Sequence, residues 1–291
     1  MTTLRLGGTA IAEIRLEDTE DFYHLPETLQ RLGGFPRVLG GGSNLLIRDG
    51  ELPFIIVRPP ASHSGGVKDP VITEDDGSGK VVVRASAGLP LPRLVSWCIK
   101  NGLSGLEGLV GVPGHLGGAI AMNAGAFGCS AAPLARRLEI FTMEKGLHQL
   151  GPDGWEFAYR HFALLTPCHW SMIVSADLLL SRASCAEVRQ RTADNLTKKI
   201  KSQPVEEHTA GCVFKNPGQQ SAGQLLDASG VKGLSRGAFF FSCKHANFLV
   251  HAKNSKTEAV FEDALYLIEE AQKRVFERFG VTLGREVLIW Q

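Results

Sequence analysis

The chain has 291 residues, enough for about two domains and a sizeable core. Its formal net charge of +1, with charged residues at 21%, excludes the broad basic surface that nucleic acid or an anionic membrane would need as a partner. No apolar run is long enough to span a bilayer, and six cysteines without a Cys-x-x-Cys pair exclude a zinc site or a disulfide framework.

The first eight residues contain no apolar leader segment, so a soluble cytoplasmic protein with free thiols and no metal is expected. Leu16 to Leu32 has helical spacing and stops at Gly33-Gly34. Two strand-like runs, Val38 to Ile47 and Phe54 to Val57, flank a first glycine cluster, Gly40-Gly41-Gly42-Ser43-Asn44-Leu45. Val71 to Thr73 and Val81 to Ala85 are β-branched runs around Asp75-Asp76-Gly77-Ser78-Gly79, the chemistry of a hairpin turn. Leu91 to Lys100 reads as a helix ended by Gly102.

From Gly105 to Gly128 glycines alternate with small apolar residues and almost no charge. Bare main chain of this kind takes positive φ, approaches a ligand closely and turns successive N–H groups toward an anion such as a pyrophosphate. A tight packing turn is the plainer explanation for one Gly-Gly pair. Gly111, Gly114, Gly117, Gly118 and Gly125 together, with Pro113 stiffening the bend and Asn123 offering an amide, favour a nucleotide cradle read as a loop. It lacks the Gly-Lys-Ser/Thr of a Walker loop and the Gly-x-Gly-x-x-Gly that opens a helix after a strand.

Beyond it, Leu138 to Met143 and Ile173 to Leu180 are strand candidates, with Trp155 to Phe162 between them. Ser184 and Glu187 form a capping box for a helix to about Ser202, stopped by Pro204. A strand at Gly211 to Phe214, a helix at Ala222 to Ala228 and strands at Phe239 to Phe241 and Asn247 to Val250 follow. Thr257 to Phe279 is an amphipathic helix ended by Gly280, and Glu286 to Trp290 is a last strand. Hairpins outnumber strict βαβ alternation, so the class is α+β.

Leu4-Arg5-Leu6-Gly7-Gly8, the cluster Gly40 to Leu46, Gly111-Val112-Pro113-Gly114, Gly117-Gly118-Ala119 and Met122-Asn123-Ala124-Gly125-Ala126 together resemble the UDP-N-acetylenolpyruvoylglucosamine reductases, flavoproteins of peptidoglycan precursor synthesis. The resemblance covers nearly the whole chain. It implies a two-lobed FAD-binding domain of the PCMH type, placed at residues 1–184 with lobes of about 1–57 and 58–184, and a smaller α+β substrate-binding domain at 185–291. It also implies noncovalent FAD, NADPH as reductant, UDP-N-acetylglucosamine enolpyruvate as substrate and a monomer. The glycine-cluster residues Gly40 to Leu45, Gly111, Pro113, Gly114, Gly117, Gly118, Ala119, Asn123, Ala124 and Gly125 would hold the cofactor.

Tyr159-Arg160 corresponds to the family's Tyr-Arg, whose arginine meets the substrate carboxylate with a planar, permanently charged fork. Gly211-Cys212-Val213-Phe214-Lys215-Asn216-Pro217 is similar to the family's Gly-Ser-x-Phe-x-Asn-Pro, in which the serine gives the proton. Here Cys212 stands in its place; a buried cysteine is commonly an inert small hydrophobe, yet a thiol is a stronger acid than a hydroxyl and preserves proton donation. Glu286 matches the family's C-terminal Glu-Val, and Tyr159, Lys215 and Asn216 are substrate-binding candidates. Ser242, Lys244, His245 and Asn247 read as structural and secondary binding groups, and His115 as a side chain pointing away from the isoalloxazine. The long form's tyrosine loop has no counterpart here. A different FAD oxidoreductase of the same superfamily, an alcohol or sugar oxidase, and a noncatalytic nucleotide-binding protein remain the alternatives.

Overall fold

The computed structural model describes residues 2–62 and 66–291. By internal contacts the chain divides into two units, one of Ala10–Gly41 and Pro53–Thr197, the other of Met1–Thr9, Gly42–Leu52 and Lys198–Gln291. The divisions fall between Thr9 and Ala10, between Gly41 and Gly42 inside the first glycine cluster, between Leu52 and Pro53, and between Thr197 and Lys198 inside the helix after Ser184.

The larger unit begins with β1 (Thr9–Arg15), helix α1 (Thr19–Leu32) and β2 (Phe35–Val38); β3 (Leu45–Ile47) belongs to the other unit, and β4 (Glu51–Arg58) completes a three-stranded sheet in the order β1-β4-β2. Helix α1 starts where Asp18 and Asp21 cap each other's backbone: Asp18 accepts from Glu20 and Asp21 N–H, and Asp21 accepts from Asp18 N–H. This reciprocal cap satisfies donors a helix end leaves open. The helix buries Phe22, Leu25 and Leu29 against Ile55 and Val57 of β4 and against Phe141, Met172 and Val174. Its end at Leu32 is the one expected.

Next come β5 (Val71–Asp75), β6 (Lys80–Ser86), α2 (Leu91–Lys100), β7 (Leu103–Ser104), α3 (Leu116–Ala121), β8 (Gly125–Ala126) and β9 (Cys129–Ser130). They are followed by β10 (Ala135–Thr142), β11 (Gly146–Leu150), β12 (Trp155–Ala158), β13 (His161–Leu164) and β14 (Ser171–Arg182). The main sheet runs β11-β10-β14-β6-β5, every neighbour antiparallel, with β7 also paired to β14. At its centre Asp177, 4% exposed, receives Arg84 Nε and Nη2 at 2.7 and 2.9 Å from β6 and Arg137 at 3.5 Å from β10. Its two cross-strand partners offset the cost of burying the carboxylate. Leu91, Leu94, Val95 and Cys98 of α2 pack with Leu116 and Ile120 of α3 onto Val81, Val83, Leu178 and Leu180.

Helix α4 (Cys185–Ser202) opens with Ser184 and Glu187 bonding each other's side chain and backbone, the capping box read from the sequence. The smaller unit then adds β15 (His208–Cys212), α5 (Ala222–Ala228), β16 (Ser235–Arg236), β17 (Phe239–Phe241), β18 (Phe248–His251), α6 (Phe261–Phe279) and β19 (Leu288–Trp290). Its sheet is β15-β18-β17-β16, all antiparallel, and β19 pairs in parallel with β3, Leu288 opposite Leu45. Phe261, Ala264, Leu267, Ile268, Ala271 and Val275 carry one stripe of α6 into a core with Phe239, Phe241, Leu226 and Leu249. Each large side chain so buried is worth roughly 1.5–3 kcal/mol.

The α+β class matches expectation. Several bounds differ: α1 begins at Thr19 rather than Leu16, and β19 at Leu288 rather than Glu286. The stretch from Gly105 to Gly128 contains α3 and the short β8–β9 hairpin rather than one continuous loop. Helix α6 begins at Phe261, not Thr257, because the Asp49 carboxylate accepts the Phe261 N–H at 3.0 and 3.2 Å. Strand β15 covers residues 208–212 rather than 211–214, since Asn247 takes over from the ladder at Phe214. Among the described residues no helix is long and apolar enough to cross a membrane.

Candidate functional site

In the larger unit the two glycine segments lie side by side. A Cβ at Gly41 would sit 2.7 Å from the Gly114 Cα, and one at Gly40 would sit 3.4 Å from the His115 Cβ. Only bare main chain permits that approach, and Gly114 also has a φ of +102°, which an L side chain rarely adopts. Gly117 is equally constrained, its Cβ position 2.7 Å from the Ala87 Cβ, while a Cβ at Gly118 would project into open space. Arg58 braces the Gly40 side, donating to Gly40 O at 2.7 Å and pairing with Glu13 at 3.1 Å. The Gly114 side is held by Leu91 N–H donating to Gly114 O at 2.9 Å. A preformed, side-chain-free surface of this kind fits the flavin nucleotide implied by the sequence resemblance.

His115 occupies the residue before α3, its side chain making no capping bond and its ring lying against Gly40. Burial, and then the Arg58 guanidinium, hold its imidazole below the usual histidine range, so it is neutral at pH 7.

Asn123 is placed differently from the role expected of it. Its side chain is buried and already bonded: Nδ2 donates to Ala158 O at 2.8 Å, and Oδ1 accepts the Ala132 N–H at 3.1 Å. Asn123 therefore ties the glycine segment to the β12–β13 hairpin instead of presenting its amide outward. Ala124 is buried in the same turn, donating to Ala119 O and accepting from Ala131 N–H.

Arg160 sits in the hairpin turn at φ +52°, a conformation uncommon for a residue with a side chain and characteristic of functional positions. Its guanidinium returns to the glycine segment, Nη2 donating to Gly125 O at 2.7 Å and Nη1 to Asn123 O at 3.4 Å. Its Cζ also lies 5.2 Å from the Tyr159 ring centroid. Asn123, Ser130, Pro133, Phe157, Tyr159 and Arg160 line an open cleft of about 280 Å³.

The smaller unit holds the rest of the expected residues. Asn44 Nδ2 donates to Glu286 O at 3.0 Å, and Asn44 O accepts the Leu288 N–H at 3.0 Å, so the Ser43-Asn44-Leu45 stretch runs against the segment that bears Glu286. On the other side Glu286 N–H donates to Val213 O at 2.8 Å, and Lys215 N–H donates to Gly284 O at 2.8 Å. Cys212 and Glu286 are thereby fixed on bonded neighbouring segments. The buried amide of Asn247 locks the same stretch, Oδ1 accepting Phe214 N–H at 2.9 Å and Nδ2 donating to Phe214 O at 2.8 Å. Asn216 Oδ1 accepts the Ala222 N–H at 3.0 Å at the start of α5. Asn247 and Ser242, which caps Lys244 N–H, serve as the structural groups expected.

Sequence reasoning missed Lys199. It lies near the end of α4 and is 6% exposed, and burial lowers its ammonium to about 8. Its helix carries many charged residues on a wet face, and nothing in local spacing marks this one as buried. Among the described residues no group of three or more His, Cys, Asp and Glu side chains converges to hold a metal.

Residues 203–290 match the family described as the UDP-N-acetylenolpyruvoylglucosamine reductase C-terminal domain, and residues 34–148 match the FAD binding domain family. A UDP-N-acetylenolpyruvoylglucosamine reductase of Oleidesulfovibrio alaskensis is 43% identical over 290 residues, 99% of this chain and 94% of that protein. The reductase of Nitratidesulfovibrio vulgaris gives the same identity and coverage. Among solved structures, the UDP-N-acetylenolpyruvylglucosamine reductase of Thermus caldophilus superposes with a TM-score of 0.78 at 33% identity, covering 100% of this chain and 96% of that one.

Proposed function

The chain belongs to the UDP-N-acetylenolpyruvoylglucosamine reductase family, and from that premise we propose how its own residues carry the reaction. The enzyme uses NADPH and FAD to reduce UDP-N-acetylglucosamine enolpyruvate to UDP-N-acetylmuramate, for peptidoglycan precursor synthesis. The chemistry that bound FAD supplies is hydride acceptance from NADPH and hydride delivery to C3 of the enolpyruvyl group.

Gly40, Gly41, Gly111, Pro113, Gly114, Gly117, Gly118 and Ala119, with Gly42, Ser43, Asn44 and Leu45, hold the flavin nucleotide noncovalently through main chain. Arg160 binds the substrate carboxylate and, with Glu286, stabilises the negative charge that builds there. Cys212 gives its proton to C2, and Tyr159, Lys215 and Asn216 orient the substrate. The observation that carries this assignment is the bond from Glu286 N–H to Val213 O, which seats the carboxylate's segment directly beside the thiol's. The enzyme acts on a small molecule as a monomer in the cytoplasm, a compartment that suits six free cysteines.

The test is loss of NADPH absorbance on adding the enolpyruvyl substrate to the purified yellow protein. Cys212→Ala should leave FAD bound and reducible by NADPH while abolishing turnover, and Cys212→Ser should keep substantial activity. Normal turnover by Cys212→Ala would remove the thiol from the mechanism.

A further inference from the structure

Residues 2–6 form a tight coil that the reaction described above leaves unused. Thr2 Oγ1 donates to Leu6 O at 2.7 Å and accepts the Leu6 N–H at 3.2 Å, while Arg5, at a φ of +56°, donates its N–H to Thr2 O at 3.1 Å. Thr2, Leu4 and Leu6 are buried, the two leucines in the core of the smaller unit. From β18, His251 Nδ1 donates to Leu4 O at 3.0 Å. The coil is therefore anchored through the residues on either side of Thr3.

Thr3 itself reaches two other segments. Its N–H donates to Gly42 O at 3.0 Å, and its hydroxyl proton goes to Thr209 O at 2.8 Å, with Gly42 O at 3.4 Å as a longer second acceptor. Thr209 lies on β15, the edge strand of its sheet, and the strand is irregular between Thr209 and Cys212, where Gly211 takes a φ of +81°. One short side chain thus joins the first glycine cluster to the strand that ends at the thiol.

Gly42 has a φ of +62°, and a glycine offers little steric resistance to turning over the peptide that follows it. In a planar trans peptide the C=O and N–H point to opposite sides, so bonds that fix the Gly42 carbonyl also fix the direction of the Ser43 N–H. The next residue, Asn44, is held independently, by donating to Glu286 O and accepting from Leu288 N–H at 3.0 Å each.

We propose that Thr3 is a positioning residue for the flavin nucleotide, its N–H and hydroxyl holding the Gly42–Ser43 peptide in the orientation that the cofactor meets, with the Thr209 carbonyl as the fixed point. This rests on the reading that Gly42 to Leu45 hold the nucleotide. Valine at this position would keep the shape and the N–H but lose the hydroxyl donor, whereas serine would keep both donors.

The experiment follows release of FAD from the loaded full chain on dilution, read as recovery of flavin fluorescence, for wild type, Thr3→Val, Thr3→Ser, Thr2→Val and Gly42→Ala. Thr3→Val should release FAD about fivefold to tenfold faster than wild type, the worth of one hydrogen bond, and Thr3→Ser within about twofold of it. Thr2→Val breaks the coil's internal bonds without touching Gly42 or Thr209, and it too should stay within about twofold. Gly42→Ala puts an L side chain at positive φ and should release FAD faster whatever Thr3 does. A Thr3→Val protein that purifies without flavin while Thr3→Ser and Thr2→Val purify loaded supports the proposal equally. Thr3→Ser behaving like Thr3→Val, or Thr2→Val releasing FAD as fast as Thr3→Val, would overturn it, the second by showing that a loosened coil suffices. Wild-type release by Thr3→Val beside fast release by Gly42→Ala removes the role of Thr3 alone. Wild-type release by both removes the nucleotide from this cluster, so the two readings can fail separately.

Discussion

Arg160 donates from Nη2 to the carbonyl oxygen of Gly125 at 2.7 Å, so the guanidinium proposed for the substrate carboxylate is held by the same glycine segment proposed to hold the nucleotide. Arg160 and Asn123 both take positive φ to achieve this, at +52° and +46°. The side-chain amide of Asn123 links the segment to the hairpin from the other end. The residues proposed for substrate and for cofactor are thus referenced to one piece of backbone.

Asn123→Ala should therefore disturb Arg160 without touching it. Removing both amide bonds leaves Ala158 O and Ala132 N–H without that partner, a loss of about 1–3 kcal/mol. We expect kcat/KM for the enolpyruvyl substrate to fall about tenfold to a hundredfold, with reduction of FAD by NADPH close to normal. Steady-state kinetics and a stopped-flow reductive half-reaction separate the two effects.

Gly41→Ala should act on the cofactor. The added methyl would stand 2.7 Å from the Gly114 Cα, and because that atom is backbone the two glycine segments must move apart. FAD affinity should drop at least about tenfold, visible as a lower flavin-to-protein absorbance ratio after gel filtration. Full flavin content in this variant would show that the close approach is not needed for binding.

Thiol reactivity should separate by burial. Burial pushes the Cys98 thiol up to about 12 and the Cys129 thiol up to about 11, each raised further by the Glu107 carboxylate, whereas Cys185 and Cys243 are exposed. At pH 8 Ellman's reagent should titrate Cys185 and Cys243 quickly and reach Cys98 and Cys129 only after denaturation. Mass mapping of the labelled peptides checks the order.

Lys199 carries a pH signature in stability. Burial lowers its ammonium to about 8 from an ordinary 10.5, with Cys212 acting in the opposite direction. Between those values the unfolded chain binds this proton more tightly than the folded one, so stability rises with pH there. Below pH 8 the cost of the buried charge is present in full. The difference in urea unfolding between wild type and Lys199→Met should change by up to about 3 kcal/mol from pH 8 to pH 10.5.

Local signals in the sequence located much of the fold. Helix α2 and helix α5 have the bounds expected, and the Ser184–Glu187 box, the 71–85 hairpin and the stop at Gly280 rest on neighbours within a few residues. Strand β1 was not read from the sequence, although its alternation was available: residues 9–15 run Thr-Ala-Ile-Ala-Glu-Ile-Arg. What spacing could not supply is long-range. The cap on α6 comes from Asp49, and helix α3 is written in glycine and alanine, whose pattern looks the same in a loop. Burial of Lys199 depends on what packs over one face of α4. Arg160, Cys212 and Glu286 were legible only through the resemblance to a family, because a lone arginine, cysteine or glutamate has no distinguishing local pattern.

The parallel pairing of Leu45–Ile47 with Leu288–Trp290 orders events during synthesis. As the nascent polypeptide leaves the ribosome, β3 emerges well before β19 and waits for the long intervening chain before the two can pair. The segment that carries Glu286 therefore joins Ser43 to Leu45 late, and a premature stop codon a few triplets upstream of Leu288 would release a product in which β3 has no partner strand.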